Sequence, residues 1–265
     1  MHEPKIRSIV QTSVAKFASN FASRHISEKD DPDGVINSKV HNVFVAALGD
    51  EVRFFSALSR SLDSSLGTMV EGMAIDIAKI NFDVTQHVEG KIYDDQTKAI
   101  SILLEKYKNA NGRLKPQVDH VHDLASAGRG GSHTKRHDSD YVLRNRKTGE
   151  YYLIELKLGG DLDNKKARSE KEALLEQYCL LTNELGPKTK VSIFFATGYN
   201  RYGEGNPWTQ GRVRQFFAEE ELLISRDFWN FVCDDARGFQ VVLDEYNSQS
   251  HVIKDALTEI RRIYL

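Results

Sequence analysis

The chain has 265 residues, with 36 Lys and Arg against 38 Asp and Glu, for a formal charge of −2. That length suits one large domain or two small ones and can bury about three quarters of the unfolded chain's surface, so no disulfide or metal staple is required. The 40% hydrophobic content excludes a disordered or fibrous chain, no run of roughly 18 apolar residues is present to span a membrane, and near-neutral charge confines any nucleic-acid reading to local patches.

Met1 to Arg7 has no apolar core ahead of a small-residue cleavage site, so no secretory signal is expected. Helical patterning begins at once: Ile6, Ile9, Val10, Phe17, Ala18 and Phe21 recur at three- and four-residue steps. The polar run Ser27 to Gly34, with Pro32, ends that helix. Helical pattern resumes through Val40, Phe44, Val52, Phe55 and Leu58. Further helices are predicted from about Leu66 to Ile80 and from about Gln96 to Lys108, the latter stopped by Asn111-Gly112.

From there the period changes. Tyr141 to Leu143 and Tyr151 to Leu156 are short and rich in aromatic and β-branched residues, and the polar, glycine-bearing segment Arg144 to Glu150 joins them as a hairpin turn would. A charged helix follows from about Asn164 to Leu185, closed by Gly186-Pro187. Val191 to Ala196 is nearly all apolar, as in a strand covered on both faces. The loop from Gly198 to Gln215 is longer than a connector needs to be. A helix near Phe228 to Val232, a strand near Phe239 to Leu243 and a last helix to about Ile263 complete the chain. Cys179 and Cys233 lie in apolar stretches and are expected to be free, reduced thiols of a cytoplasmic protein. The expected organisation is one α/β domain over residues 1–265, with a mainly helical region over 1–112 and a core over 113–265 whose mixed sheet is flanked by helices.

Side chains alternate along a strand, so Glu155 and Lys157 point one way and Leu156 the other. Asp140 opens the strand that pairs with theirs, and the three groups can converge at one end of the sheet. Two carboxylates so close repel each other and favour a divalent cation with oxygen preferences, above all Mg²⁺. A lysine beside such a cation can orient water and offset charge on a phosphoryl oxygen. The same residues could also form an exposed surface pair of little energetic consequence. Asp138 faces the same side of an extended strand as Asp140 and is a substitute ligand. A third acid, Glu71, lies on the flank of the apolar stripe formed by Leu66, Met69, Val70, Met73, Ala74 and Ile77; there it needs a partner such as a metal or its water, unless it reaches solvent.

Asp140 followed by Glu155-Leu156-Lys157 resembles the PD-(D/E)xK nuclease motif, with Ser139 where a proline is usual. The continuation Lys157 to Ala167 resembles type II restriction endonucleases of the TdeIII family. So do the helix through Leu174, Leu175, Glu176, Gln177 and Tyr178, the apolar strand, and Arg226-Asp227-Phe228-Trp229. The likeness spans roughly residues 60 to 235. It implies a restriction-endonuclease-like core and a homodimer that cuts palindromic double-stranded DNA, with sites of the G-G-N-C-C kind. It also implies dependence on Mg²⁺, with Mn²⁺ able to substitute, and a cognate DNA methyltransferase as genetic companion. Asp140, Glu155 and Glu71 would then ligate metal or its water, and Lys157 would position the attacking water.

Basic patches fit a DNA reading. Arg129, Lys135 and Arg136 precede the first active-site strand, and Lys165, Lys166 and Arg168 open the helix after the second, where they would grip phosphates or simply be a solvated face. For base reading the loop bearing Asn200, Arg201, Tyr202, Asn206, Trp208, Gln210, Arg212 and Arg214 is favoured, because Arg suits guanine and Asn or Gln suits adenine. His120, His122, His133 and His137 offer a zinc reading, weakened by the absence of nearby cysteines. A structure-selective or repair nuclease, and a non-catalytic DNA-binding module on the same fold, are the alternative functions.

Overall fold

The computed structural model describes residues 2–109, 114–127, 130–186 and 188–265. Asn111-Gly112, the Pro187 of the predicted helix stop, and Arg129 lie outside them. Among the described residues the helices are α1 (Glu3–Ser27), α2 (Val43–Ala46), α3 (Asp50–Ala78), α4 (Asp94–Lys108), α5 (Val118–Ala125), α6 (Asn164–Leu185), α7 (Gly211–Arg214), α8 (Arg226–Cys233) and α9 (Gly238–Tyr264). The strands are β1 (Phe82–Tyr93), β2 (Ser132–Asn145), β3 (Tyr151–Leu156), β4 (Val191–Thr197) and β5 (Leu222–Ile224). They fall into two compact units, Met1–Ile77 with Gln240–Leu265, and Ala78–Phe239. No described helix is long and apolar enough to cross a membrane.

The first unit is built on α1, α3 and α9. Pro4 in the first turn of α1 presets its backbone, and the buried residues Ile6, Val10, Val14, Phe17, Ala18 and Phe21 make its inner stripe. Polar contacts fix how the helices meet. Gln11 donates to Glu245 at 2.7 Å, the Tyr264 hydroxyl donates to the His25 carbonyl at 2.8 Å, and His25 lies 3.0 Å from the Ser61 hydroxyl. The strand expected at Phe239–Leu243 is helix instead. Its β-branched valines are locally permissive, but Val242, Ile253, Ala256 and Ile260 are buried at helical intervals, and burying that stripe outweighs strand propensity.

The second unit carries one mixed sheet in the order β1-β2-β3-β4-β5. The pairs β1/β2 and β2/β3 are antiparallel, while β3/β4 and β4/β5 are parallel. Parallel neighbours cannot be joined by a tight turn, so α6 makes the crossover from β3 to β4. It lays Ala167, Leu174, Leu175, Tyr178 and Cys179 against Val142, Leu153, Ile193 and Phe195 in the core. Gly90 in β1 permits that helix to come close: a Cβ there would lie 3.0 Å from the Leu180 carbonyl oxygen. The hairpin between β2 and β3 closes as expected, with Gly149 at φ +75 donating its N–H to Asn145.

Several elements of this unit, among them β1, α5 and β5, were not anticipated. β1 pairs with β2 along most of its length; between Thr85 and His87 the register shifts because β2 carries two extra residues there, and in β1 only Phe82, Val88 and Ile92 are buried, too sparse an apolar pattern to read as a strand. β2 begins nine residues before the anticipated Tyr141–Leu143 core, at Ser132, through a stretch whose charged and histidine side chains read as loop. β5 and α5 are too short to give a periodic signal.

Candidate active site

The pairing of β2 with β3 runs from Arg144↔Tyr151 to Tyr141↔Ile154. One step further on, the Asp140 carboxylate accepts the Leu156 N–H at 2.8 Å. That bond pins Asp140 beside Glu155, its cross-strand neighbour, on one face of the pair. Lys157 follows the last residue of β3, and its N–H donates to the Ala196 carbonyl at 3.0 Å, so its backbone stays in the ladder with β4. The Lys157 ammonium pairs with Glu155 Oε1 and lies 3.4 Å from Glu170 Oε1 on α6. Asp140, Glu155 and Lys157 are thus brought together where β3 ends and its pairing with β2 stops. Just beyond them Gly160, at φ +66, makes the exit turn; a Cβ there would meet Thr197 Cγ2 at 2.7 Å.

The electrostatics of this group are strongly perturbed. Glu155 is 8% exposed. Burial, with repulsion from Asp140 and Glu170 added, pushes its carboxyl up to about 8, although Lys157 pulls the other way. Burial by itself would lower Lys157, but the carboxylates of Glu155, Glu170 and Asp140 overcome it and raise its pKa, so its ammonium stays charged at neutral pH. A buried proton-holding carboxyl, a second carboxylate and a fixed cation suit catalysis more than stability.

The remaining candidates are placed differently. Glu71 is half-buried on α3 in the first unit. Asp138 is exposed on β2, opposite His87. Lys135 Nζ and His137 Nε2 each lie 2.6 Å from Glu176 of α6, which clamps β2 to that helix. His120 meets the Tyr107 hydroxyl at 3.0 Å and His133 lies 3.7 Å from Asp94, so the histidines are dispersed; among the described residues no group of three His, Cys, Asp or Glu is arranged to hold a metal. Arg136, Lys165, Lys166 and Arg212 are exposed, whereas Arg168 pairs with Glu105 at 3.1 Å and Arg214 with Glu219 at 2.7 Å.

The long loop after β4 is held by its own polar groups. Asn200 donates to the Asn206 carbonyl, and Asn206 to that of Tyr202, both at 2.7 Å. Glu204 accepts the Ser225 hydroxyl at 2.6 Å, and Trp229 donates to the Gly198 carbonyl at 2.9 Å. Tyr202 is exposed, with the Arg201 guanidinium 5.8 Å from its ring centre, and Arg201 also pairs with Asp161. Two expected base readers are not on the surface. Trp208 is 5% exposed and packs in the core beside Phe195, where its ring fills space under Gly160. Gln210 is buried, donates to Asp161 at 3.1 Å and caps α7.

Two residues next to the site were not read as site residues from the sequence. Glu170 adjoins the buried Ala167, Lys171 and Leu174 of α6, and Gln177, seven residues further on, is buried too. Polar side chains placed against an apolar stripe are the signal that could have found them.

A five-stranded mixed sheet with a helical crossover, and clustered acids at the end of its central strands, is the architecture of a restriction-endonuclease-like core. A family model described as type II restriction endonuclease, HinfI, matches residues 2–250, so the chain belongs to that family and is a DNA-binding type II restriction endonuclease. No curated protein matches the chain.

Proposed function

We propose that the chain hydrolyses phosphodiester bonds of double-stranded DNA at a short palindromic site by PD-(D/E)xK chemistry, with Mg²⁺ held by Asp140 and Glu155. The carrying observation is the convergence of those two carboxylates with Lys157 where β3 ends alongside β2. The donor set fits the ion: Mg²⁺ keeps several waters and is commonly bound through one or two carboxylates. Its charge would also offset the burial and the repulsion from Asp140 that together hold a proton on Glu155. When bound, Mg²⁺ supplies polarisation of the phosphate and a more acidic water.

The chain's own groups do the rest. Lys157, charged at neutral pH, donates to a phosphoryl oxygen as negative charge develops there and orients the attacking water. The water gives up one proton to solvent as its oxygen bonds to phosphorus, the bond to the leaving oxygen breaks, and that oxygen takes up a proton from solvent. Exposed Arg136, Lys165, Lys166 and Arg212 grip phosphates, which makes binding salt-dependent. Two copies facing a two-fold site would each cut one strand.

Digesting DNA of known sequence with Mg²⁺ and mapping the fragment ends tests this reading. Discrete fragments whose ends share one short palindrome are expected, with G-G-N-C-C one candidate; a smear, or nicks at junctions, would point to a structure-selective nuclease instead. Chelation should stop cutting. Because Glu155 holds a proton up to about 8, cation binding must displace it, so Mg²⁺ affinity should rise by up to about tenfold per pH unit between roughly pH 6 and 8. Half-saturating Mg²⁺ measured in single-turnover cleavage checks the slope, and a flat profile would mean that no proton is displaced.

A further inference from the structure

Helix α6 reaches both strands of the candidate site. Residues 170 and 177 are two turns apart on one helix face. Glu170 lies 3.4 Å from the Lys157 ammonium, and Gln177 donates to the Asp138 carbonyl at 3.4 Å, two residues before Asp140. Gln177 is 1% exposed, and its Oε1 has no hydrogen-bond partner among the described residues.

The two carboxylates at Lys157 differ in position. Glu155 stands on the same strand pair as Asp140, while Glu170 comes from the helix. A carboxylate that shares its oxygens with a divalent cation has less charge left for a neighbouring ammonium. Lysine sits on a flexible four-carbon stem with three rotatable donors, so a second, independent anion is needed to keep it aimed. Resting on the function proposed above, we infer that Glu170 is a positioning residue: it holds the Lys157 ammonium at the scissile phosphate while Glu155 serves the cation. Glu170 touches neither cation nor DNA in this arrangement and acts only through Lys157.

The test compares Glu170→Gln, Glu170→Asp, Lys157→Ala and the double variant Lys157→Ala/Glu170→Gln in the full chain, on a duplex carrying the cleaved site. Glu170→Gln should lower kcat by about 10–100-fold, the usual cost of losing the partner that orients a site residue, with KM little changed. Its DNA affinity in chelator, without metal, should stay the same or tighten, because a negative charge near the phosphate is gone. Glu170→Asp, which keeps the charge, should cut faster than Glu170→Gln, and in the Lys157→Ala background Glu170→Gln should cost nothing more. Wild-type cutting by Glu170→Gln, equal rates for the Asp and Gln variants, or a further loss in the double variant would overturn the role of Glu170 and leave the Asp140, Glu155 and Lys157 reading standing. Undiminished cutting by Lys157→Ala would instead overturn that reading and this inference with it.

Discussion

The Lys157→Ala protein is expected to bind its DNA site and fail to cut it. Replacing the side chain removes a charge that neighbouring acids hold near the end of β3 against the effect of burial. Loss of one positioned donor at a developing oxyanion costs about 10²–10³-fold in kcat, and a combined role in orienting water can carry the loss towards roughly 10⁴-fold. Ground-state affinity should change little, since exposed Arg136, Lys165, Lys166 and Arg212 remain to meet phosphates. Single-turnover cleavage with a parallel gel shift separates the two quantities. If cutting and binding fell together, Lys157 would be a binding group and the chemistry would lie elsewhere.

Substituting Lys171 is expected to damage stability rather than chemistry. Its ammonium is fully buried and donates to both oxygens of Glu221 at 2.6 Å, above the ring of Phe217, and the same carboxylate accepts the Ala218 N–H at 2.7 Å. Burial pulls the Lys171 pKa down while Glu221 opposes it. Lys171→Ala strands a carboxylate in the interior, at a cost of about 3–5 kcal/mol. The double variant Lys171→Met/Glu221→Leu removes both charges and refills the volume, so it should recover most of that loss. Denaturant unfolding of the three proteins decides the matter. A double variant as unstable as Lys171→Ala would show that the methylene packing, and not the unpaired charge, carries the effect.

The sequence made some of this molecule legible and hid the rest for identifiable reasons. Helix α6 and strands β3 and β4 were readable almost to the residue, because their apolar periods are long or unbroken and their ends are marked by Asp163, Gly186 and polar turns. The relation of Asp140 to Glu155 and Lys157 was readable too, since strand alternation and a hairpin leave few other arrangements. Strand β1 was hidden because only Phe82, Val88 and Ile92 along it are buried apolar residues, and the start of β2 by residues such as Lys135 and His137 that serve Glu176 of α6. Trp208 misled for a different reason. An aromatic residue in a polar glycine-rich loop reads as a surface platform, and only the fold reveals the space beneath Gly160 that its ring fills. Glu170 escaped because its partner is thirteen residues away across a loop, a distance at which no local period operates.

The turn at Asn145–Glu150 sits at the opposite end of the β2/β3 pair from Asp140 and Glu155. The number of residues separating those two acids is therefore a property of the hairpin's tip and not of the chemistry. Lengthening the tip leaves the acids facing each other, whereas a single residue inserted within either strand would swing every later side chain to the far side of the sheet. Divergence in this protein can consequently accumulate as loop-length change between its two acids at no catalytic expense, while the five-residue stretch from Tyr152 to Leu156 has almost no freedom to gain or lose a position.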